Sequence, residues 1–442
     1  MAGIGFELKK IVRRRELSST MGAMLGGLFV VAGPWLLTII TLVILRRWET
    51  GVSSSETLFF QSALVYSYGA SLVLFAPLHY FFSRLASDLI WEKRTPEAFW
   101  YLNVFIVLVG LGSFLFSWIL VGLIPLPVQD PQLFRLSWAL FFAFLNGVWL
   151  LMLFVSTLKW FTKILVVFAL GMAVGTAGAG LSPVSWGSAG WLLSLAVGQL
   201  GVAAGLWGLC RQAFHSQRPT NRRTTLRKVA KSNSPLIWGG VAYVLAPWFD
   251  KAWFWWTRGS GGLLPQFPPY DTTAYWANLA VIPAWVYFVI FAETDFAEVT
   301  HQFLFALSRQ TLDQIQNLQV RLALTFKKQW GNSALVILVS LLLEHLVLEK
   351  SVSDPGIYLA ALAGAGFQAL LGIGVSFAYY IEQYSTALKA SAVFLLSTVV
   401  LDLFLPPGAG YALAGFLGCL TLAVLLSRKA RSLTRQIFLK YS

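Results

Sequence analysis

Charge is what this chain lacks. Only 12% of its 442 residues are charged, while 57% are hydrophobic. So small a polar inventory cannot cover the surface of a water-soluble domain. Acids are scarcer than bases, with 19 Asp and Glu against 33 Lys and Arg. Cysteine occurs twice, at Cys210 and Cys419, too few for a disulfide framework or a Cys/His metal cluster. No GxxxxGK[ST] stretch is present, so no P-loop ATPase is built in; HExxH and a nucleophile elbow are missing too. These absences leave no catalytic residue, cofactor or metal site to expect, and they point to the membrane instead of to enzyme chemistry.

Long apolar runs are abundant. Crossing ~30 Å of hydrocarbon takes about 20 helical residues. Runs near that length recur at 23–45, 58–82, 99–124, 134–157, 161–182, 189–209, 236–257, 273–296, 331–349, 356–381, 390–404 and 411–427. The expected fold is an all-α, multi-pass protein with about 12 transmembrane helices in a lipid bilayer. The start, MAGIGFELKKIVRRRELSS, is basic but lacks the short apolar core and small-residue cleavage site of a signal peptide. Ile4, Leu8 and Ile11 share one helical face while Lys9, Lys10, Arg13 and Arg14 project elsewhere. Residues 1–22 therefore read as an amphipathic cytoplasmic helix that lies on the anionic leaflet or anchors the first span.

The net charge of +14 has a topological reading and requires no nucleic acid. With both termini cytoplasmic, 27 of the 33 Lys and Arg fall in cytoplasmic segments, the bias expected of inner loops. Arg46, Arg47, Arg135, Arg258 and Lys350 fall outside or at outer helix ends, and Lys251 lies within a span.

The most hydrophilic interruption, residues 211–235, holds seven basic residues and no acid, and divides six spans from six. The first span reads VVAGPWLL and the seventh YVLAPWFD, so Pro34-Trp35 and Pro247-Trp248 stand at equivalent positions of two halves. Repeats of this kind mark transporters whose path runs between two bundles; two coincidental kinks would look the same. The expected organisation is an N-lobe over 23–210, a basic linker over 211–235, a C-lobe over 236–427 and a basic cytoplasmic tail over 428–442. Within the C-lobe, 297–330 forms a second cytoplasmic segment, with Ile315, Leu318 and Leu322 in a helical stripe. It is either a docking surface or a solvated hairpin.

The seventh span combines a breaker with two charges: Pro247, Asp250 and Lys251. A central Asp or Lys disfavours insertion by roughly 2.5–3.5 kcal/mol, and each Leu, Ile, Phe or Val returns about 0.3–0.6. The seven such apolar residues between Leu236 and Trp256 cannot offset two midplane charges. The charges must be off-centre, partnered or facing water. Neighbours on a helix diverge by ~100°, so they do not simply neutralise one another. Glu344 and Asp402 lie towards outer helix ends; Glu293, Asp295 and Glu382 lie near cytoplasmic ends. All belong to the second half, whereas spans one to six contain no acid, only softer groups such as His79, Asn103 and Asn146. Ionisable residues inside a membrane are functional candidates by default. His345 beside Glu344 is an acid–His pair that could serve an acyltransferase, a relay or packing. Trp253, Trp255, Trp256, Tyr275 and Trp276 gather at outer helix ends, as an interfacial belt or a platform for sugar rings.

MAGIGFELKK, the GPWLL of the first span, PWFDKAWFWW and PPYDTTAYWANLAVIPAWVYFVIFAETDF (268–296) together resemble the PelG family of Pel exopolysaccharide inner-membrane transporters. The last third is matched by architecture alone. That family is similar to the flippases of the multidrug/oligosaccharidyl-lipid/polysaccharide exporter (MOP) superfamily. The resemblance implies two six-helix lobes around a central cavity, a flippase/MATE-like fold. It also implies movement of Pel, a biofilm polymer rich in N-acetylgalactosamine, from cytoplasm to periplasm across the bacterial inner membrane. Implied partners are a cytoplasmic glycosyltransferase and membrane subunits of the Pel synthase complex, one of which senses cyclic di-GMP. Carried over residue by residue, the family-like positions are Trp248, Asp250, Lys251, Tyr270, Asp271, Pro283, Glu293, Thr294 and Asp295. Candidate path residues are thus Asp250, Lys251, Trp248, Glu293, Asp295, Glu344 and Asp402, with Pro34, Pro247 and Pro283 as candidate hinges. A lipid-linked oligosaccharide flippase, a cation-coupled small-molecule exporter, and a membrane transferase or scaffold are the alternatives.

Overall fold

A computed structural model describes residues 2–13, 17–47, 54–158, 160–215, 222–307, 309–349, 352 and 354–430. Among these, sixteen α-helices account for nearly everything, and the strand-like feature is a single bridge between Ser260 and Gln266. The helices of the first half are α1 (Ala2–Val12), α2 (Leu17–Arg47), α3 (Ser54–Trp91), α4 (Thr95–Gly122), α5 (Pro131–Val155), α6 (Phe161–Leu181), α7 (Gly187–Ala213) and α8 (Arg222–Ser232). The second half comprises α9 (Ser234–Arg258), α10 (Pro268–Ala280), α11 (Ile282–Tyr287), α12 (Glu293–Ala306), α13 (Leu312–Leu348), α14 (Pro355–Tyr380), α15 (Tyr384–Leu401) and α16 (Ala409–Ala430).

The helices start where the local chemistry favours a start. Pro opens α4, α5, α10 and α14, where its missing N–H costs nothing. Asp130 and Asp354 cap α5 and α14 by accepting from Leu133 N and from Gly356 and Ile357 N. A reciprocal Thr311–Gln314 capping box opens α13.

Among the described residues, ten helices are long and apolar enough to cross a membrane, or eleven if the two pieces of α2, Ser18–Phe29 and Val31–Leu45 at 46°, count as one. The expectation was twelve. The shortfall is α9, a 25-residue helix whose apolarity is diluted by Asp250 and Lys251. It runs unbroken through Pro247. The bend in α2 falls about one turn before Pro34, where a proline removes the N–H that would reach back four residues. The side chains of Pro34 and Trp35, residues 216–221 of the basic linker and 431–442 of the tail lie outside the described residues.

The chain divides into two compact units. One comprises Met1–Val31, Pro235–Gly259 and Phe267–Ser442; the other comprises Ala32–Ser234 and Ser260–Gln266. The first boundary falls inside α2, so α1 and the start of α2 belong with the second-half helices. The small 260–266 loop belongs with the other unit because Tyr66 Oη donates to the Pro265 carbonyl (2.8 Å) and Gln266 Nε2 to Ser62 Oγ (2.6 Å).

The 32–234 unit does contain a buried carboxylate. Glu56 lies two residues before the apolar run of α3 and is 3% exposed. Its Oε1 accepts from Ser188 N (3.0 Å) and Ser188 Oγ (2.8 Å) at the start of α7. The positive end of that helix favours the charge. Gly187, at φ 51°, leaves room for it: a Cβ there would sit 2.6 Å from Glu56 Oε1. Glu56 is therefore a satisfied structural acid joining α3 to α7. Glu56→Gln is expected to lower unfolding stability in detergent by about 1–2 kcal/mol, the loss of a charged partner for two donors, without altering transport per folded molecule.

Candidate functional site

The second-half unit gathers its intramembrane acids into three groups. The first lies where α9, α10 and the α15–α16 turn meet. Asp250 on α9 is 1% exposed and accepts from the Tyr270 hydroxyl of α10. Asp402, the C-cap of α15, is 2% exposed, and its carboxyl group lies beside that of Asp250. The Gly408 backbone amide lies beside Asp250, and Gly410 packs so tightly on Asp402 that a Cβ there would collide with Oδ1. Beyond these contacts, Asp250 Oδ1 and both Asp402 oxygens meet no N–H or O–H donor. Buried acceptors are nearly always paired, so three orphaned oxygens in one knot need a reason. Two carboxyl groups this close repel one another when both are ionised, and a shared proton or a cation would relieve that repulsion.

Lys251 takes another direction, as adjacency on a helix requires. Its Nζ lies 5.4 Å from the centroid of the Trp248 ring, a cation–π arrangement, and among the described residues it forms no ion pair within 4 Å. The nearby Asp271 is already occupied: Trp255 Nε1 donates to Oδ1 (2.7 Å) and Phe267 N to Oδ2 (3.0 Å). Trp255, 5% exposed, is thereby a structural residue, whereas Trp256, 87% exposed, fits an interfacial belt.

The second group surrounds an irregularity in span eight. Pro283 sits at the start of α11, just after α10 ends, and five residues later the chain widens into a π-helical turn, Phe288–Ala292. Thr294 Oγ1 donates back to the Ile290 carbonyl (2.8 Å) across that turn. Glu293, 4% exposed, accepts from the Tyr380 hydroxyl of α14 (2.6 Å) through Oε1, while Oε2 has no donor. Asp295 is shared by Lys9 of α1 and by Gln329 Nε2 of α13 (2.5 Å). Gln329 Oε1 accepts in turn from the Tyr287 hydroxyl (2.8 Å), which accepts from Asn332 Nδ2 (3.1 Å). The N-terminal helix is thus packed on protein, with Leu8 buried.

The third group is Glu344 on α13. Both of its oxygens are buried without a donor, and it lies near Tyr358 of α14. His345 does not pair with it; the imidazole stacks on the Tyr358 ring (6.0 Å, 30°) and stands 3.8 Å from Glu349. Asp250 and Asp402, 152 residues apart, are therefore brought together, as are Glu293 and Asp295 around one turn; Glu344 stands alone. Sequence reasoning missed Lys9, Gln329 and Gly410 as partners. Only the family-like motifs around the first of these and around Glu293–Asp295 pointed there.

The hairpin over 297–330 is helical on both sides, and its Ile315 and Leu322 are buried at 3% each, so the stripe is the seam between α12 and α13. A cleft of about 370 Å³ opens at its tip, lined by Gln302, Phe305, Gln310, Gln314, Asn317 and Leu318.

Residues 1–438 match the family described as "PelG: Putative exopolysaccharide Exporter (EPS-E)". No curated protein matches the sequence. Among solved structures, the chain is similar to a MOP superfamily transporter from Pyrococcus furiosus, with TM-score 0.61 at 10% identity over 93% of this chain and 96% of that one. It is also similar to the Vibrio cholerae MATE transporter VcmN in its bent form, with TM-score 0.54 at 16% identity over 93% and 99%. At these identities the likeness establishes the fold alone, an all-helical, MATE-like one.

Proposed function

The chain belongs to the PelG family of exopolysaccharide exporters, and from that premise we propose that it carries a Pel-type polymer, rich in N-acetylgalactosamine, from cytoplasm to periplasm. In this reading it sits in the bacterial inner membrane with both termini cytoplasmic. A cytoplasmic glycosyltransferase feeds it, with further membrane subunits of the synthase complex beside it. The α12–α13 hairpin is the surface offered to the glycosyltransferase.

The observation that carries the reading is the contrast among buried and half-buried acids. Glu56 accepts from Ser188, and Asp271 accepts from Trp255 and Phe267, which makes both structural. Asp250, Asp402, Glu293 and Glu344 keep oxygens without donors. Spare acceptors at membrane depth suit sugar hydroxyls or amino sugars, and such groups are tolerated where a path is polar. Trp248 and Lys251 beside them supply a ring face and a cation, while Pro34, Pro247 and Pro283 mark the points where helices can flex.

The deciding experiment places the purified protein with its synthase partners in vesicles and follows labelled polymer. Polymer in the lumen, lost when this chain is omitted, is the expected result; polymer retained outside would refute it. Product attached to lipid would identify a lipid-linked oligosaccharide flippase instead. A second reading, cation-coupled efflux of small molecules, is favoured by the Asp250–Asp402 contact. Sodium- or proton-driven dye efflux from vesicles containing this chain alone would select it.

A further inference from the structure

Two sequence motifs that share no obvious role, the N-terminal MAGIGFELKK and the ETDF of span eight, meet in the folded chain. Gly5 presses on the π-helical turn so closely that a Cβ there would collide with the Val289 carbonyl oxygen and approach Thr294 Cγ2 to 2.7 Å. Four residues on, Lys9 reaches Asp295, and its side chain is only 13% exposed. Leu8 fills the space left by Gly26, and Gly27 lies against Val286 of α11 and Ile290 of the π-helical turn. A π-turn is a rare, poorly bonded form, one residue wider than the α-helix it interrupts. It persists only where outside contacts hold it, and here they come from α1, α2, Gln329 and Tyr380.

We propose that α1 is a latch that holds span eight in its π register. When Lys9 and Gly5 disengage, the extra residue leaves the turn and Phe288–Ala292 tightens to α-helix. Residues from Glu293 to Ala306 then rotate by ~100° about the helix axis, the angle of one residue. That rotation withdraws Glu293 from Tyr380 and Asp295 from Gln329, and carries both carboxylates to new faces. The latch builds on the reading of these two acids as path residues, and it gives Lys9 and Gly5 positioning roles outside the path itself.

Thiol labelling tests the rotation without requiring transport. Cys210 and Cys419 are both buried, so added cysteines report alone. On α12, Glu298 is exposed and Ala297 is 2% exposed. In the parent protein, Glu298→Cys should react quickly with a water-soluble maleimide and Ala297→Cys slowly. In a Lys9→Glu background, labelling at 297 is expected to rise about tenfold and that at 298 to fall, since tightening the turn advances each later residue by ~100° into the place of the next, 297 into that of 298 and 298 into that of the buried Val299. Gly5→Ala, which displaces α1 by bulk and leaves every charge in place, should give the same exchange. The charge-reversed pair Lys9→Glu/Asp295→Lys should restore the parent pattern. An unchanged pattern in both Lys9→Glu and Gly5→Ala overturns the latch, as does a general rise at both positions, which reports local unfolding in place of rotation. Polymer export is scored separately, so a latch that rotates in a protein that exports nothing would count against the transport reading alone.

Discussion

Asp250→Asn is expected to leave the inserted protein at least as stable as the parent while cutting polymer export about tenfold or more. Asp250 and Asp402 share a site in which three carboxylate oxygens have no donor. Burying such groups opposes folding, and replacing one acid by its amide removes that penalty and supplies an N–H donor towards the other. The Tyr270 hydroxyl can still donate to the amide oxygen. A structural acid behaves in the opposite way, as Glu56 should, losing stability and keeping activity. Asp402→Asn is expected to match Asp250→Asn, and the double variant to be no worse than either alone, because groups that act as one site are not additive. Thermal unfolding in detergent and polymer released by whole cells are the two measurements. Native export by a well-inserted Asp250→Asn, or a marked fall in its unfolding temperature, would remove this pair from the transport machinery.

That pair shows how far the sequence could be read. Asp250 stands out because it interrupts an apolar run, and the energetic argument requires it to be off-centre, partnered or wet. The structure shows it partnered, by a tyrosine 20 residues away and an acid 152 residues away. Neither distance has a local signature. Helix number was legible from apolar length, yet α9 fell short by the same charges that made it interesting. Glu56 was passed over because it precedes its apolar run by two residues, and a membrane boundary drawn on hydropathy excludes the polar residue that caps a neighbouring helix. The amphipathic start of the chain reads as a helix on the lipid surface or an anchor for the first span, because its positive charges suit anionic headgroups. Lys9 finds a carboxylate instead, 286 residues away. Glycines were the largest loss, since hydropathy gives them no weight.

Gly198→Val is the test of that last point, and its expected effect is the largest on stability. Helices α6 and α7 pack through small residues: Gly171, Gly175 and Gly178 on one, Ser194 and Gly198 on the other. A Cβ on Gly198 would lie 2.7 Å from the Gly171 carbonyl oxygen and 3.0 Å from Gly175 Cα. Both obstacles are backbone, so no side chain can swing aside. In lipid, where the hydrophobic effect does not press helices together, close backbone approach and its dispersion energy are the main source of association. A valine here must push the helices apart along their whole contact, for an expected cost of about 3 kcal/mol, the upper range for overpacking. On the same helix, Gly208 has open space around it, so Gly208→Ala should be neutral or stabilise by up to ~1 kcal/mol through helix propensity alone. Unfolding titrations of the two variants side by side decide the matter. If both behave alike, the α6–α7 seam does not hold the 32–234 unit together in the way its glycines indicate.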